Sequence, residues 1–208
     1  MFKPWIGSAY HQQIAPKIFI LGESHYGSSP EDKTILCIQQ QIDDSWRSKF
    51  YTKIVATFIG HKPSLEEKRV FWSSVVFHNL ITEPLSKARV SPTNEQWHDS
   101  AATLFALVEE LKPDYCVCLG YRMWHVLRSL PGFTPVDLGI DVGPCGAYSH
   151  AQLSCIFHGI KHPSGRGFRS ADWHVFITNL RTKKWANQAP EPTPTTGTPP
   201  AGQEARQP

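Results

Sequence analysis

Two short apolar segments that lie far apart in the chain each end at a cluster of polar residues suited to chemistry. The first segment, Lys17–Leu21, is followed by Gly22–Tyr26 (Gly-Glu-Ser-His-Tyr), and the second, Gln152–Ile160, is followed by Lys161–Ser164 (Lys-His-Pro-Ser). In an α/β protein the carboxyl ends of parallel strands open onto the ligand crevice. We therefore expect both polar clusters to face one binding site at the edge of a parallel sheet.

Two further segments, Ser74–Ile81 and Tyr115–Leu119, are apolar and short enough to be buried strands. Capping-box sequences at Ser64 and Thr93 predict the starts of helices between these segments, and Ser170 is expected to cap a last helix. Strands that alternate with helices form βαβ units. The predicted fold class is α/β, a three-layer α/β/α domain with a central, mostly parallel four-stranded sheet.

The chain length of 208 residues is sufficient for one such domain with a substantial core. We predict that this domain covers residues 1–186. The segment 187–208 is rich in Pro and Thr and has no large apolar residue, so we expect it to be disordered. The net charge of +3 permits a nucleic-acid partner without requiring one.

The five cysteines stand at positions 37, 116, 118, 145 and 155 and form no Cys-x-x-Cys pair. This arrangement favours reduced thiols in a cytoplasmic protein over a disulfide framework or a zinc site. The first residues show no basic region followed by an apolar run, and no apolar stretch approaches membrane-spanning length. We expect a cytoplasmic, monomeric protein with no metal and no membrane partner.

The polar clusters resemble, in order and placement, the motifs of the uracil-DNA glycosylase superfamily. That family has a Gly-led motif after its first strand, an Asn that ends its second strand and His-Pro-Ser after its fourth. This chain has Gly22-Glu23, Asn79 and His162–Ser164 in those places. The likeness spans roughly residues 17–180, and on it the chain is identified as a divergent member of the superfamily.

The resemblance implies a reaction in which a base is flipped out of the DNA stack into a pocket. The bond between sugar and base then breaks through an oxocarbenium-like sugar, and the base leaves as an anion. An anionic side chain near the sugar stabilises the cation or orients water. A hydrogen-bond donor near the base oxygen stabilises the leaving group.

The resemblance also assigns roles to individual residues. Glu23 matches the acidic position that places or activates water, and His162 matches the imidazole that hydrogen-bonds the departing base. Asn79 matches the amide that reads the base edge with both a donor and an acceptor. His25 stands where the family usually has Pro, so it competes with Glu23 for the role of handling water.

Further residues complete the predicted site. Ser24 replaces the catalytic Asp of the best-known branch, Tyr26 matches its methyl-excluding Tyr, and His78 precedes the base-reading Asn. We predict that these three residues contact the substrate. The residues predicted to contact DNA phosphates are Lys161, Ser164, Arg166 and Arg169, and Arg166 stands where many members carry an apolar wedge.

The sequence thus predicts a monofunctional DNA glycosylase that leaves an abasic site and uses no metal, iron–sulfur cluster or organic cofactor. Its base is uracil or a modified pyrimidine, including a hypermodified phage base such as a glucosylated hydroxymethyl pyrimidine. A role in DNA repair and a role in anti-phage defence both stay open. The aromatic residue that stacks on the base also stays open among Phe50, Phe58, Phe71 and Phe77.

Two alternatives remain. The first is an esterase of the Gly-Asp-Ser type, with Ser24 as nucleophile and Asp172 and His174 as its late Asp/His pair. That pair is spaced one residue too short, and the esterase leaves the His162–Ser164 motif unexplained. The second is a non-catalytic DNA-binding module with a glycosylase fold, which would bind DNA with strong salt dependence and release no base.

Overall fold

The central feature of the fold is a mixed sheet covered by helices on both faces. The computed structural model describes residues 2–12, 16–87 and 90–182. In this part of the chain the strands are β1 (Trp5–Ile6), β2 (Ile18–Gly22), β3 (Val75–Asn79), β4 (Tyr115–Leu119), β5 (Phe133–Val136), β6 (Ala147–His150) and β7 (Leu153–Ile160). The helices are α1 (Lys33–Ile42), α2 (Lys49–Ile59), α3 (Leu65–Ser74), α4 (Asn94–Leu111), α5 (Tyr121–Ser129) and α6 (Ser170–Thr182).

The sheet confirms the α/β class and corrects both the number of strands and their expected, mostly parallel pairing, since three of the six pairings are antiparallel. Its order is β1-β3-β2-β4-β7-β6-β5, seven strands rather than four. The four predicted strands are its parallel centre, since β2 pairs in parallel with β3 and β4, and β4 with β7. Three further strands pair antiparallel, β1 on β3, β6 on β7 and β5 on β6.

The missed elements have weak sequence signals. Strand β1 is two residues long, and β5 contains Pro135, a residue that sheets admit mainly in edge strands. Helices α1 and α2 follow Asp32 and Ser48, whose side chains make no capping hydrogen bond. By contrast, the capping boxes predicted at Ser64 and Thr93 are both present and begin α3 and α4.

The core consists of two apolar clusters, one on each face of the sheet. In β2, Ile18 and Ile20 join the cluster formed with α1, α2, α3 and α6, whereas Phe19 and Leu21 join the cluster formed with α4 and α5. This alternation follows from the pleat of the strand, which points successive side chains to opposite faces. The three-layer arrangement of helices around the sheet is therefore confirmed.

Several smaller predictions concern individual side chains. All five cysteines are free, and Cys116 and Cys118 are buried in the same cluster, as their alternation predicts. The segment 187–208, expected to be disordered, lies outside the described residues. Among the described helices, none combines the length and the apolar character that a membrane crossing requires.

Gly159 in β7 determines how closely α5 packs on the sheet. A Cβ atom at this position would lie 2.4 Å from Cγ of Trp124, far inside van der Waals contact. Trp124 is 1% exposed and donates a hydrogen bond from Nε1 to the Cys145 carbonyl at 3.2 Å. The indole therefore lies directly on the β7 backbone, and this contact fixes α5 over the sheet.

We expect Gly159→Ala to lower the free energy of unfolding by about 1–3 kcal/mol, the usual cost of overpacking a filled core. Urea unfolding measures it. Trp124→Leu makes room for the methyl group, so the double variant should lose less than the sum of the two single losses. Two results would contradict this account of the packing. One is a Gly159→Ala protein whose free energy of unfolding lies within about 0.5 kcal/mol of the parent, and the other is a double variant whose loss equals the sum of the two single losses.

Two buried histidines make the fold sensitive to acid. His78 and His158 are 1% and 0% exposed, and burial lowers the pKa of each from 6.5 to about 4. Below pH 6.5 the unfolded chain binds protons at these positions that the folded chain does not, so stability falls as pH falls.

We therefore expect the free energy of unfolding to drop between pH 7.5 and pH 5, with each of these histidines contributing on the order of 1–2 kcal/mol. Urea unfolding at both pH values measures the drop. His78→Gln should make it smaller, whereas His98→Gln, at a side chain 86% exposed, should leave it unchanged. An equal drop in all three proteins would contradict this account.

Candidate functional site

A cavity of about 680 Å³ opens at the carboxyl ends of the four parallel strands. Each strand end contributes to its wall: Glu23, Ser24, His25 and Tyr26 after β2, Asn79 at the end of β3, Gly120, Tyr121 and Arg122 after β4, and His162, Ser164 and Gly165 after β7. The remaining wall comes from Lys33, Cys37, Trp46, Ser48, Phe50 and Tyr51. The structure thus brings the two polar clusters of the sequence to one site.

His162 is held as a neutral hydrogen-bond donor. Its Nδ1 accepts a hydrogen bond from the Ser164 backbone N–H at 3.1 Å, so the proton of the neutral ring is on Nε2. The ring stacks on Phe50 with centroids 5.2 Å apart. Burial lowers the pKa of His162, the Glu23 carboxylate opposes this effect, and the Arg122 guanidinium adds to it.

The loop that carries His162 is fixed from both sides. The Gly165 N–H donates to the His162 carbonyl at 2.7 Å, and Lys53 Nζ donates to the Pro163 carbonyl at 2.9 Å. Gly120 passes beneath the imidazole at φ 123°, a conformation that side chains rarely adopt. A glycine at this strand end therefore lets the backbone turn into α5 beside His162.

Asn79 presents an amide to the cavity. The residue is 5% exposed, and its side chain makes no hydrogen bond to any residue that the structure describes. A Cβ atom on Gly22, its partner in β2, would lie 2.1 Å from Asn79 Oδ1. The glycine thus makes room for the amide, and the amide keeps both its donor and its acceptor for a ligand.

Glu23 forms an ion pair that the sequence did not reveal. Arg122 Nε donates to one carboxylate oxygen at 3.0 Å, and Nη2 donates to the other. The Glu23 side chain is 12% exposed and that of Arg122 43% exposed. Since the two residues follow β2 and β4, which are neighbours only in the folded sheet, no local pattern points to their pairing.

His25 and Ser24 line the same cavity wall as Glu23, and their side chains have different surroundings. His25 Nε2 is 2.8 Å from Thr34 Oγ1, and burial with the nearby Lys33 cation lowers the pKa of His25 to about 4. His25 is therefore neutral near pH 7 and already hydrogen-bonded. The Ser24 hydroxyl is buried and finds no partner among the described residues.

The structure does not bring every predicted residue to the cavity. His78 does not line it, because successive strand residues point to opposite faces and Asn79 occupies the cavity side. Tyr26 does line it and is 45% exposed.

The residues predicted to contact phosphate lie on or near the loop after β7. Ser164 is exposed, and because its N–H is engaged by His162, only its hydroxyl remains for a phosphate. Arg166 is exposed, Lys161 is half-buried, and Arg169 pairs with Asp172 at 3.7 Å.

Of the four aromatic candidates for stacking on a base, Phe50 lines the cavity. Phe58, Phe71 and Phe77 are buried in the core cluster beneath it. The structure adds Trp46, Tyr51 and Tyr121 to the cavity wall, and none of these stood out in the sequence because they belong to no motif.

The residues of the esterase alternative do not come together. His174 Nδ1 is hydrogen-bonded with the Thr57 carbonyl at 3.0 Å, and Asp172 pairs with Arg169. Neither Asp172 nor His174 lines the cavity that holds Ser24. In the described part of the chain no group of three or more His, Cys, Asp or Glu residues is placed to hold a metal ion.

No protein-family model matches the chain, and no curated protein matches it.

The charges around His162 make its titration a test of the site. We expect a neutral Nε2–H ring at pH 7, with a pKa below 6.5. Arg122→Gln removes a cation and should raise this pKa, whereas Glu23→Gln removes an anion and should lower it further. Long-range ¹H–¹⁵N NMR reports both the tautomer and the pKa of His162. A proton on Nδ1, or a pKa above 6.5 in the parent protein, would refute this geometry.

Proposed function

We propose that this protein is a monofunctional DNA glycosylase that hydrolyses the N-glycosidic bond of a flipped pyrimidine and leaves an abasic site. The observation that carries the proposal is His162, a neutral imidazole donor in one cavity with a partner-free amide and a carboxylate. The resemblance of the sequence motifs to the uracil-DNA glycosylase superfamily supports the same reaction.

His162 suits the departing base. When the glycosidic bond breaks, its electron pair goes to the base nitrogen and negative charge spreads to the base oxygen. The Nε2–H of a neutral ring, oriented by the Ser164 N–H and by Phe50, donates to that oxygen without transferring a proton. Such a preorganised donor is worth most in a site from which water is excluded.

Asn79 is suited to recognise the edge of the base by hydrogen bonds. A pyrimidine offers a donor and an acceptor side by side, and the amide of Asn79 offers the complementary pair. Since Gly22 leaves no side chain between the amide and the β2 backbone, the amide is held at the depth of the strand end. A base that binds in the cavity can pair with both the donor and the acceptor of the Asn79 amide.

Glu23 is suited to stabilise the sugar cation next to the attacking water. It is the one carboxylate among the described residues of the cavity wall, and Arg122 fixes its orientation. In the proposed reaction the carboxylate stabilises the oxocarbenium-like sugar while a water oxygen bonds to C1′, and the water proton ends on the base. His25, neutral and bonded with Thr34, is the weaker candidate for this role.

The size of the site favours a modified base. A volume of about 680 Å³ lies in the range of sites for drug-sized ligands. A second cavity of about 420 Å³ shares Lys33, Cys37 and Trp46 with the first and adds the polar residues Gln40 and Ser45. We therefore favour a pyrimidine with a large polar substituent, such as a glucosylated hydroxymethyl group, over plain uracil. Release of such a modified base would indicate a role in anti-phage defence, whereas release of uracil would indicate a role in DNA repair.

The remaining parts of the proposal come from the sequence. The partner is DNA, the protein acts as a cytoplasmic monomer, and the reaction uses no metal or organic cofactor. The non-catalytic alternative keeps the same cavity and the same DNA partner but releases no base.

We expect free base to be released from one of four DNAs, carrying uracil, 5-hydroxymethyluracil, 5-hydroxymethylcytosine or its glucosylated form. Mass spectrometry of the released base measures this directly. His162→Ala and Glu23→Gln should each lower the rate by about 10²–10³, the usual effect of removing one preorganised charge-stabilising group. His98→Ala, at an exposed histidine, is the matched control and should keep the full rate.

Two results would reject the proposal. Release that survives both site substitutions would place the chemistry elsewhere. No release from any of the four DNAs, with salt-sensitive DNA binding intact, would favour the non-catalytic module. Ser24→Ala separates the esterase, because a nucleophile is indispensable there, whereas a glycosylase would only be weakened.

A further inference from the structure

We infer that the DNA held by this cavity is single-stranded. The inference rests on the proposed function and names its substrate more closely. It is carried by the aromatic side chains around the cavity together with the composition of the loop after β7.

The exposed aromatic residues are concentrated at one place. In the described part of the chain three aromatic side chains are more than 40% exposed: Tyr26 at 45%, Trp46 at 44% and Tyr121 at 41%. All three line the same cavity. Exposed apolar side chains scattered over a surface need no explanation, but three aromatic rings around one opening indicate a binding surface.

Each ring stands on a fixed piece of backbone. Tyr26 lies in an isolated bridge with Leu85, where the Leu85 N–H donates to the His25 carbonyl at 2.9 Å. The carbonyl of Trp46 accepts a hydrogen bond from Gln41 Nε2 at 2.6 Å. Tyr121 is the first residue of α5, and its ring meets Trp173 edge to face. The backbone beneath these rings therefore needs no further ordering when a ligand binds.

Unpaired bases are the ligand that such a surface fits. Every base has a π-face that stacks on an aromatic ring whatever its sequence, and single-stranded DNA exposes these faces while a duplex hides them. The charge agrees, because the cavity wall has Lys33 in addition to the neutral ion pair of Arg122 and Glu23, and so carries one net positive charge. A phosphate backbone can follow this wall between stacked bases.

The loop after β7 lacks what a duplex would require. A protein that flips a base out of a duplex has to replace the stacking and pairing that the base loses. The residues exposed in this loop are Ser164, Arg166, Gly167 and Arg169, and none of them has an apolar side chain. No apolar wedge is present here to fill the vacated stack, whereas a single strand leaves no such gap to be filled.

Binding of unmodified DNA tests the inference separately from catalysis. Fluorescence anisotropy compares a labelled 20-nucleotide strand with the duplex of the same sequence, at equal salt. We expect the single strand to bind on the order of tenfold more tightly. Trp46→Leu and Tyr121→Leu keep apolar bulk but remove the ring, and each should weaken single-strand binding about tenfold while changing duplex binding less.

Tyr26→Leu is a third variant, at the most exposed of the three rings, in case one of the others fails to fold. Val70→Ala changes an exposed apolar side chain outside the cavity and should leave binding unchanged. Equal or tighter duplex binding, or unchanged binding in the ring variants, would overturn the inference.

The two proposals fail separately. Base release that is as fast from duplex as from single-stranded substrate would leave the glycosylase standing and remove the strand preference. Tight single-strand binding without release of any base would keep the strand preference and reject the glycosylase.

Discussion

The parallel pairing of β2, β3, β4 and β7 is the constraint on which the site depends. Neighbouring strands lie about 4.8 Å apart, so their carboxyl ends form one continuous edge. Three contacts of the site cross successive pairs of these strands: Gly22 with Asn79, Glu23 with Arg122, and Gly120 with His162. A change in the register of any strand would therefore separate a pair of functional groups.

Much of this edge was predictable, because buried strands and motifs are local signals. The strand Tyr115–Leu119 was predicted with its observed bounds, and the other parallel strands to within two residues. Helix α2 was missed although Tyr51, Ile54 and Phe58 have helical spacing, since no cap marks its start. Arg122 and Tyr121 were missed for a different reason: their partners and their cavity exist only after β2 and β4 pair.

The balance of charge in the cavity explains how a buried imidazole and a carboxylate coexist. Glu23 and Arg122 together carry no net charge. The carboxylate raises the pKa of His162 and the guanidinium lowers it, so burial determines the net shift, which is downward. The carboxylate is nevertheless present as an anion on one side of the cavity. Because both of its oxygens accept from Arg122, its part in the proposed reaction is more that of a fixed charge than that of a base.

Unpaired buried polar groups by themselves do not identify a site in this fold. Trp72 Nε1, both ring nitrogens of His78 and Nε2 of His158 are buried without partners, and none of these residues lines the cavity. They add a cost that the two apolar clusters offset. Asn79 differs because its amide is not sealed in this way and borders open space in which a ligand can supply hydrogen bonds. The unsatisfied groups that matter for function are thus those that the sheet edge leaves facing the cavity.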